Sequence, residues 1–254
     1  MKQTQYLSYM YEASIFIERS LLLKTLVIIS HPNINESSSQ QFLVQSFPDS
    51  REVSMHYLEG TYPNGKIDVK KEQALLKEYD RVLFQFPFYW YSSPPLLKQW
   101  FDEVLEEHFA FGYRGNKLQG KEFGLILIIG VGEKEYQTGG QEGFSISELT
   151  KPYQAIAKKI GMHYLKPLTI FQFPYMTEAD RMKLLIRYQQ WLMIEKPDSL
   201  KAREAWMVNQ LEETSSETLD IAESSFILEQ ATEKIEDNRI ELDELRMHID
   251  NNDQ

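Results

Sequence analysis

The stretch RVLFQFPFYWYSSPPLLKQWFDEVL, Arg81–Leu105, decides the fold. Its opening residues, Arg81–Phe86, form a short apolar run stopped by Pro87, the pattern of a strand buried on both faces of a parallel sheet. Pro94 and Pro95 then start a helix that runs to Leu105, because proline fits a first helical turn, where its missing N–H is not needed. Between strand and helix stand Phe88, Tyr89, Trp90 and Tyr91. Core packing accounts for one or two rings at a strand end. Four in succession point to a wall for a flat aromatic ligand at the carboxyl edge of the sheet.

The same strand–loop–helix unit repeats to either side. Short apolar runs at Thr25–Ser30, Glu52–Leu58 and Phe123–Gly130 read as further buried strands, and Leu165–Phe173 as a fifth. Helical patterns fill the gaps at Ser38–Gln45, Val69–Tyr79, Leu149–Ile160 and Thr177–Ile194. Strand and helix alternate, so the fold class is α/β: a doubly wound, five-stranded parallel sheet with helices on both faces and its ligand site beyond the strands' carboxyl ends. The domain spans 24–198, with an N-terminal extension at 1–23 and an acidic helical C-terminal extension at 199–254. In that extension a helix at Ser199–Glu213 is followed by a polar break. Ile221, Leu228, Ile235, Leu242 and Ile249 then recur every seventh residue on one helical stripe.

Composition narrows the function. The 254 residues contain no cysteine, which excludes disulfides, thiolate nucleophiles and iron–sulfur clusters, so redox chemistry needs a bound organic cofactor. The net charge of −11 argues against nucleic-acid binding, which needs a Lys/Arg surplus. Thirteen acidic against three basic residues lie in 213–254, so the domain itself is close to neutral. Glu12, Glu18 and Arg19 interrupt the apolar segment near the amino terminus, and a cytoplasmic protein is expected. His56, His108, His163 and His248 lack metal-ligand spacing to carboxylates, and no metal site is expected.

Two more loops carry chemistry. SHPNINESSSQQ, Ser30–Gln41, follows the first strand and opens a helix. Its hydroxyls, one imidazole and the free N–H groups of the helix start suit a phosphate, although such serines also serve as plain N-caps. GVGEKEYQTGGQEGF, Gly130–Phe144, leaves the strand beside the aromatic loop, and its glycines let backbone N–H groups approach a ligand. No GxGxxG follows the first strand and no GxxxxGKS occurs, so neither a Rossmann fingerprint nor a P-loop is supported.

Taken together, LVIISHPN, FQFPFYWYSSPPLLKQWFDEVL, FAFGYRG with LQGK, and GVGEKEYQTGGQEGF resemble the flavodoxin-like NAD(P)H dehydrogenase (quinone) family. The likeness is to its small bacterial branch of general-stress-type quinone reductases and potassium-efflux ancillary oxidoreductases, over roughly Lys24–Trp191. The resemblance implies noncovalent FMN or FAD, hydride from NADH or NADPH, and a quinone as acceptor. It implies that His31, Ser37 and Ser39 hold the flavin phosphate and ribityl chain. Pro87, Phe88, Tyr89, Trp90 and Tyr91 would line the isoalloxazine, and Gly130, Val131, Gly132 and Glu133 would meet its pyrimidine side. Tyr136 is the implied catalytic residue. Phe111 and Tyr113 would complete the substrate pocket of a partner in a homodimer. Two departures stand out: Ile128 and Ile129 replace the family's Thr-Thr, and Glu142 stands where a histidine would share charge with the tyrosine. An ancillary subunit docked on a membrane transporter and an electron-transfer flavodoxin are the competing readings. Co-purification with a membrane partner would favour the first.

Overall fold

The computed structural model describes residues 23–217 and 222–252. Residues 23–193 form one compact unit and the described residues from 194 onward another. The expectation for the N-terminal extension lies almost wholly outside the described residues.

In the first unit, β1 (Thr25–Ile29), β3 (Arg81–Pro87) and β4 (Glu122–Ile129) form the centre of a parallel sheet, with β2 (Val53–Tyr57) on one edge. The order is 2-1-3-4-5, which reverses between β1 and β3 and opens a crevice at their carboxyl ends. β1 and β3 are buried along their whole length because helices cover both faces. On one face Leu26, Ile28, Phe84, Phe86, Leu125 and Leu127 meet Leu76 of α3 (Val69–Lys77), Trp100 of α4 (Pro95–Val104), and Tyr153 and Ala157 of α6 (Lys151–Lys159). On the other, Val27, Ile29, Leu83 and Ile126 meet Leu43 of α1 (Ser38–Gln45) and Tyr188, Trp191 and Leu192 of α7 (Glu178–Met193). Gly124 is forced by this packing, since a Cβ there would come within 2.7 Å of the Trp191 ring.

The fifth strand differs from expectation. It is split into β5 (His163–Tyr164) and β6 (Leu168–Phe171), which pair with successive parts of β4, so six strands fill five positions. Pro167 explains the gap, since it has no N–H for the ladder. The expected helix Leu149–Ile160 is present as α6, Lys151–Lys159, and a separate short helix that was not expected, α5 (Ile146–Leu149), precedes it across Thr150. Pro152 in the first turn of α6 cannot donate back to α5, and Ser145 with Glu148 closes a capping box on α5. The short helix α2 (Leu58–Thr61) was not anticipated.

In the second unit, α8 (Leu200–Glu217) extends past the expected end at Glu213 into the polar break, whose remaining residues, 218–221, lie outside the described residues, and α9 spans Ala222–Asn252. Of the heptad stripe, Leu228, Ile235 and Leu242 are half-buried, while the packing of Ile221 and Ile249 lies outside the described residues. No described helix is long and apolar enough to cross a membrane.

Candidate functional site

Three loops meet the crevice, each leaving the carboxyl end of a neighbouring strand: 30–37 after β1, 88–94 after β3 and 130–145 after β4. The first is tied down by Glu59 of α2. Its carboxylate accepts the Ser30 hydroxyl at 2.6 Å and the His31 N–H at 3.0 Å, and the Tyr57 hydroxyl donates to the His31 carbonyl at 2.9 Å. His31 is buried, and its Nδ1 accepts the Asn33 N–H at 3.1 Å, leaving Nε2 to carry the proton of a neutral ring. Burial lowers the His31 pKa, against an opposing pull from Glu59. Ser37 caps α1 through Gln40, with its hydroxyl 3.2 Å from that of Ser39. Among the described residues the backbone N–H groups of Ser38 and Ser39 have no partner, so the amino end of α1 keeps its donors free.

The second loop is a tight hairpin. Tyr89 and Ser92 bridge in antiparallel fashion, and the Ser92 N–H donates to the Tyr89 carbonyl at 3.0 Å. Trp90 and Tyr91, at the centre of the turn, have φ of 47° and 61°. Left-handed backbone at two successive large residues costs roughly 1–2 kcal/mol each, and such turns normally take Asn or Gly. The turn holds Trp90 91% exposed, Tyr89 54% and Tyr91 43%. Phe88 departs from expectation. It is buried in the core, and its N–H donates to the Ile128 carbonyl at 2.9 Å, so the open wall has three rings, not four. Pro87 ends β3 beneath them.

In the third loop, a Cβ added to Gly130 would meet nothing within 4 Å, so space opens directly above the end of β4. The N–H groups of Val131 and Gly132 have no partner among the described residues. Glu133 begins a 3-10 turn, Glu133–Glu135, and Tyr136 ends it, buried and packed on Phe171 at 6.0 Å between centroids. Burial, then the nearby Glu142 and Tyr91, raise the Tyr136 pKa. Glu142 accepts the Tyr91 hydroxyl at 2.8 Å and so joins the second and third loops.

Phe111 and Tyr113 are not brought to this cluster. Lys159, in the last turn of α6, lies over the Phe111 ring at 5.6 Å, which places that ring at the amino edge of the sheet, since crossover helices run antiparallel to the strands. Phe111 lines a groove of about 360 Å³ with Phe101, Leu105, Ile156 and Ile160, and Tyr113 is 73% exposed.

Two positioning residues escaped the sequence reading. Gln85, on the central strand, donates to the Gln40 Oε1 of α1 at 2.7 Å and accepts the Tyr188 hydroxyl of α7 at 2.9 Å, which fixes the phosphate-type loop against the strand carrying the hairpin. Its signal was a lone amide within FQFP, where a buried polar group must find partners. Glu59 gave no signal, because its partners lie 28 and 29 residues away. His56 also has a carboxylate partner, Glu72 at 2.9 Å, in a buried structural cluster away from the loops.

These features fit a flavin mononucleotide: free N–H donors with two hydroxyls for a phosphate, exposed rings for a flat heterocycle, and an open backbone edge for its polar side. A family model described as flavodoxin-like fold matches residues 23–192. The uncharacterized NAD(P)H oxidoreductase YrkL of Bacillus subtilis is 44% identical over 158 residues, covering 62% of this chain and 91% of that one. An NADPH-quinone reductase structure from P. pentosaceus superposes with a TM-score of 0.63 at 38% identity, covering 67% of this chain and 98% of that one. General stress protein 14 from Treponema denticola, solved in complex with FMN, gives 0.62 at 36% identity, covering 66% and 97%.

Proposed function

The chain belongs to the family of flavodoxin-like fold, and from that premise we propose that it is an FMN-dependent NAD(P)H:quinone oxidoreductase. One observation carries the reading: the strained Tyr89–Ser92 hairpin presents exposed rings at the same sheet edge as the open backbone at Gly130 and the free N–H groups of α1. Bound flavin would supply hydride acceptance from NAD(P)H and two-electron delivery to the quinone.

The residues divide the work. Ser37, Ser39 and the amino end of α1 hold the phosphate, with His31 donating from Nε2. Pro87, Tyr89, Trp90 and Tyr91 flank the ring and exclude water from it. Gly130, Val131, Gly132 and Glu133 present backbone, and the free N–H groups of Val131 and Gly132 stabilise negative charge on the pyrimidine side. Tyr136 keeps its proton and donates it toward charge that develops in hydride transfer. Phe111 and Tyr113 act on a neighbouring chain, where they roof its pocket in a homodimer. NADPH-quinone reductase and NAD(P)H oxidoreductase relatives support the donor and acceptor classes, and the FMN-bound relative supports FMN over FAD. Flavin released from the purified protein, with NAD(P)H-driven reduction of a quinone by the same sample, tests the reading.

A further inference from the structure

The Gly130–Phe144 loop carries a carboxylate that the reaction as proposed does not use. Glu142 is held from two sides. Its N–H donates to the Glu135 carbonyl at 3.2 Å, within a loop whose Gly140 leaves no room for a Cβ, and its Oε2 accepts the Tyr91 hydroxyl at 2.8 Å. The Tyr91 ring is 43% exposed on the hairpin that flanks the proposed flavin ring. Because this hydroxyl spends its proton on Glu142, it offers only lone pairs outward. Glu133 and Glu135 stand in the same loop against Lys134 as its one basic residue. The rim therefore presents acceptor oxygens and negative charge.

We propose that Glu142, positioned by Tyr91, is a specificity-determining residue that makes the pocket prefer uncharged acceptors and disfavour anionic ones. The proposal rests on the flavin-and-quinone reading above. The nicotinamide end of NAD(P)H is uncharged, so the donor's ring is not penalised. A fixed carboxylate several ångströms from an anionic substituent, at an effective dielectric between that of surface pairs and that of water, disfavours binding by roughly threefold to tenfold.

The test is equilibrium binding to the oxidised, flavin-loaded protein without NAD(P)H. Calorimetry compares a naphthoquinone with its sulfonated counterpart for the parent, Glu142→Gln and Tyr91→Phe. The parent should bind the sulfonate about threefold to tenfold more weakly than the neutral quinone. Glu142→Gln should close most of that gap, and Tyr91→Phe, which keeps the carboxylate but removes the hydroxyl that holds it in place, should narrow the gap only in part. In the parent the gap should also shrink as salt rises toward about 1 M, where the screening length falls to about 3 Å. An equal gap in parent and Glu142→Gln, or no gap in the parent, overturns the proposal while leaving the flavin reading standing. A parent that takes up no flavin overturns both.

Discussion

Tyr89 and Ser92 pair across a turn whose two central residues, Trp90 and Tyr91, both adopt left-handed backbone. The fold carries this strain to keep an indole 91% exposed, a position with no return in core packing. Trp90→Gly should therefore stabilise the flavin-free protein by about 0.5–1 kcal/mol, through relief of the turn. The same change should weaken flavin retention by about 1–3 kcal/mol, through loss of the ring contact. Urea unfolding and flavin titration read the two effects separately. Equal flavin affinity in variant and parent would remove Trp90 from the site.

Tyr136 is buried beside Glu142, and burial, with help from that carboxylate, raises its pKa. Flavin reduction that depends on this proton should stay level through neutral pH and fall only above the ordinary tyrosine range near 10. Tyr136→Phe should slow reduction by NAD(P)H by about tenfold or more while flavin stays bound. Stopped-flow absorbance across pH checks both statements, and an unchanged rate in the variant would leave Tyr136 as a wall residue.

The Phe111 groove, with Phe101, Leu105, Ile156 and Ile160, leaves apolar surface where a second chain would cover it. Phe111→Asp places a carboxylate there beside Asp102. If chains share pockets, light scattering should show the variant dissociated, and quinone reduction should fall with it. A monomeric parent with full activity would contradict the shared pocket.

Glu72 is fully buried and accepts from His56 at 2.9 Å, Tyr62 at 2.5 Å and Trp100 at 2.8 Å. Burial pushes its pKa up, but these three bonds outweigh it and the net shift is downward. A depressed carboxyl pKa adds stability that is present above the unfolded-state value, near 4.3, and lost as pH falls through the folded value. Glu72→Gln should thus cost about 2–4 kcal/mol at pH 7 and progressively less below pH 4. Urea unfolding at several pH values measures it, and a deficit that grows on acidification would contradict the assignment.

Much of the sheet was legible because its central strands are continuous apolar runs closed by Pro87 or glycine, and because Pro94–Pro95 and Ser37 mark helix starts in any context. The break at Pro167 was missed because the flanking apolar pattern runs straight through it. Phe88 was misplaced because succession in sequence does not say which ring turns inward. The packing settles it: the Phe88 ring joins the core beside the strands, while Tyr89, Trp90 and Tyr91 stay exposed. Glu59 and Gln85 act through partners distant in sequence, and Glu142 acquires its partner only when two loops from different strands meet.

Flavin binding is the property on which every assigned role of the three loops depends. Purified protein should be yellow and, on denaturation, release FMN at about one per chain. A colourless preparation that binds no FMN when titrated with it would contradict the account at its centre.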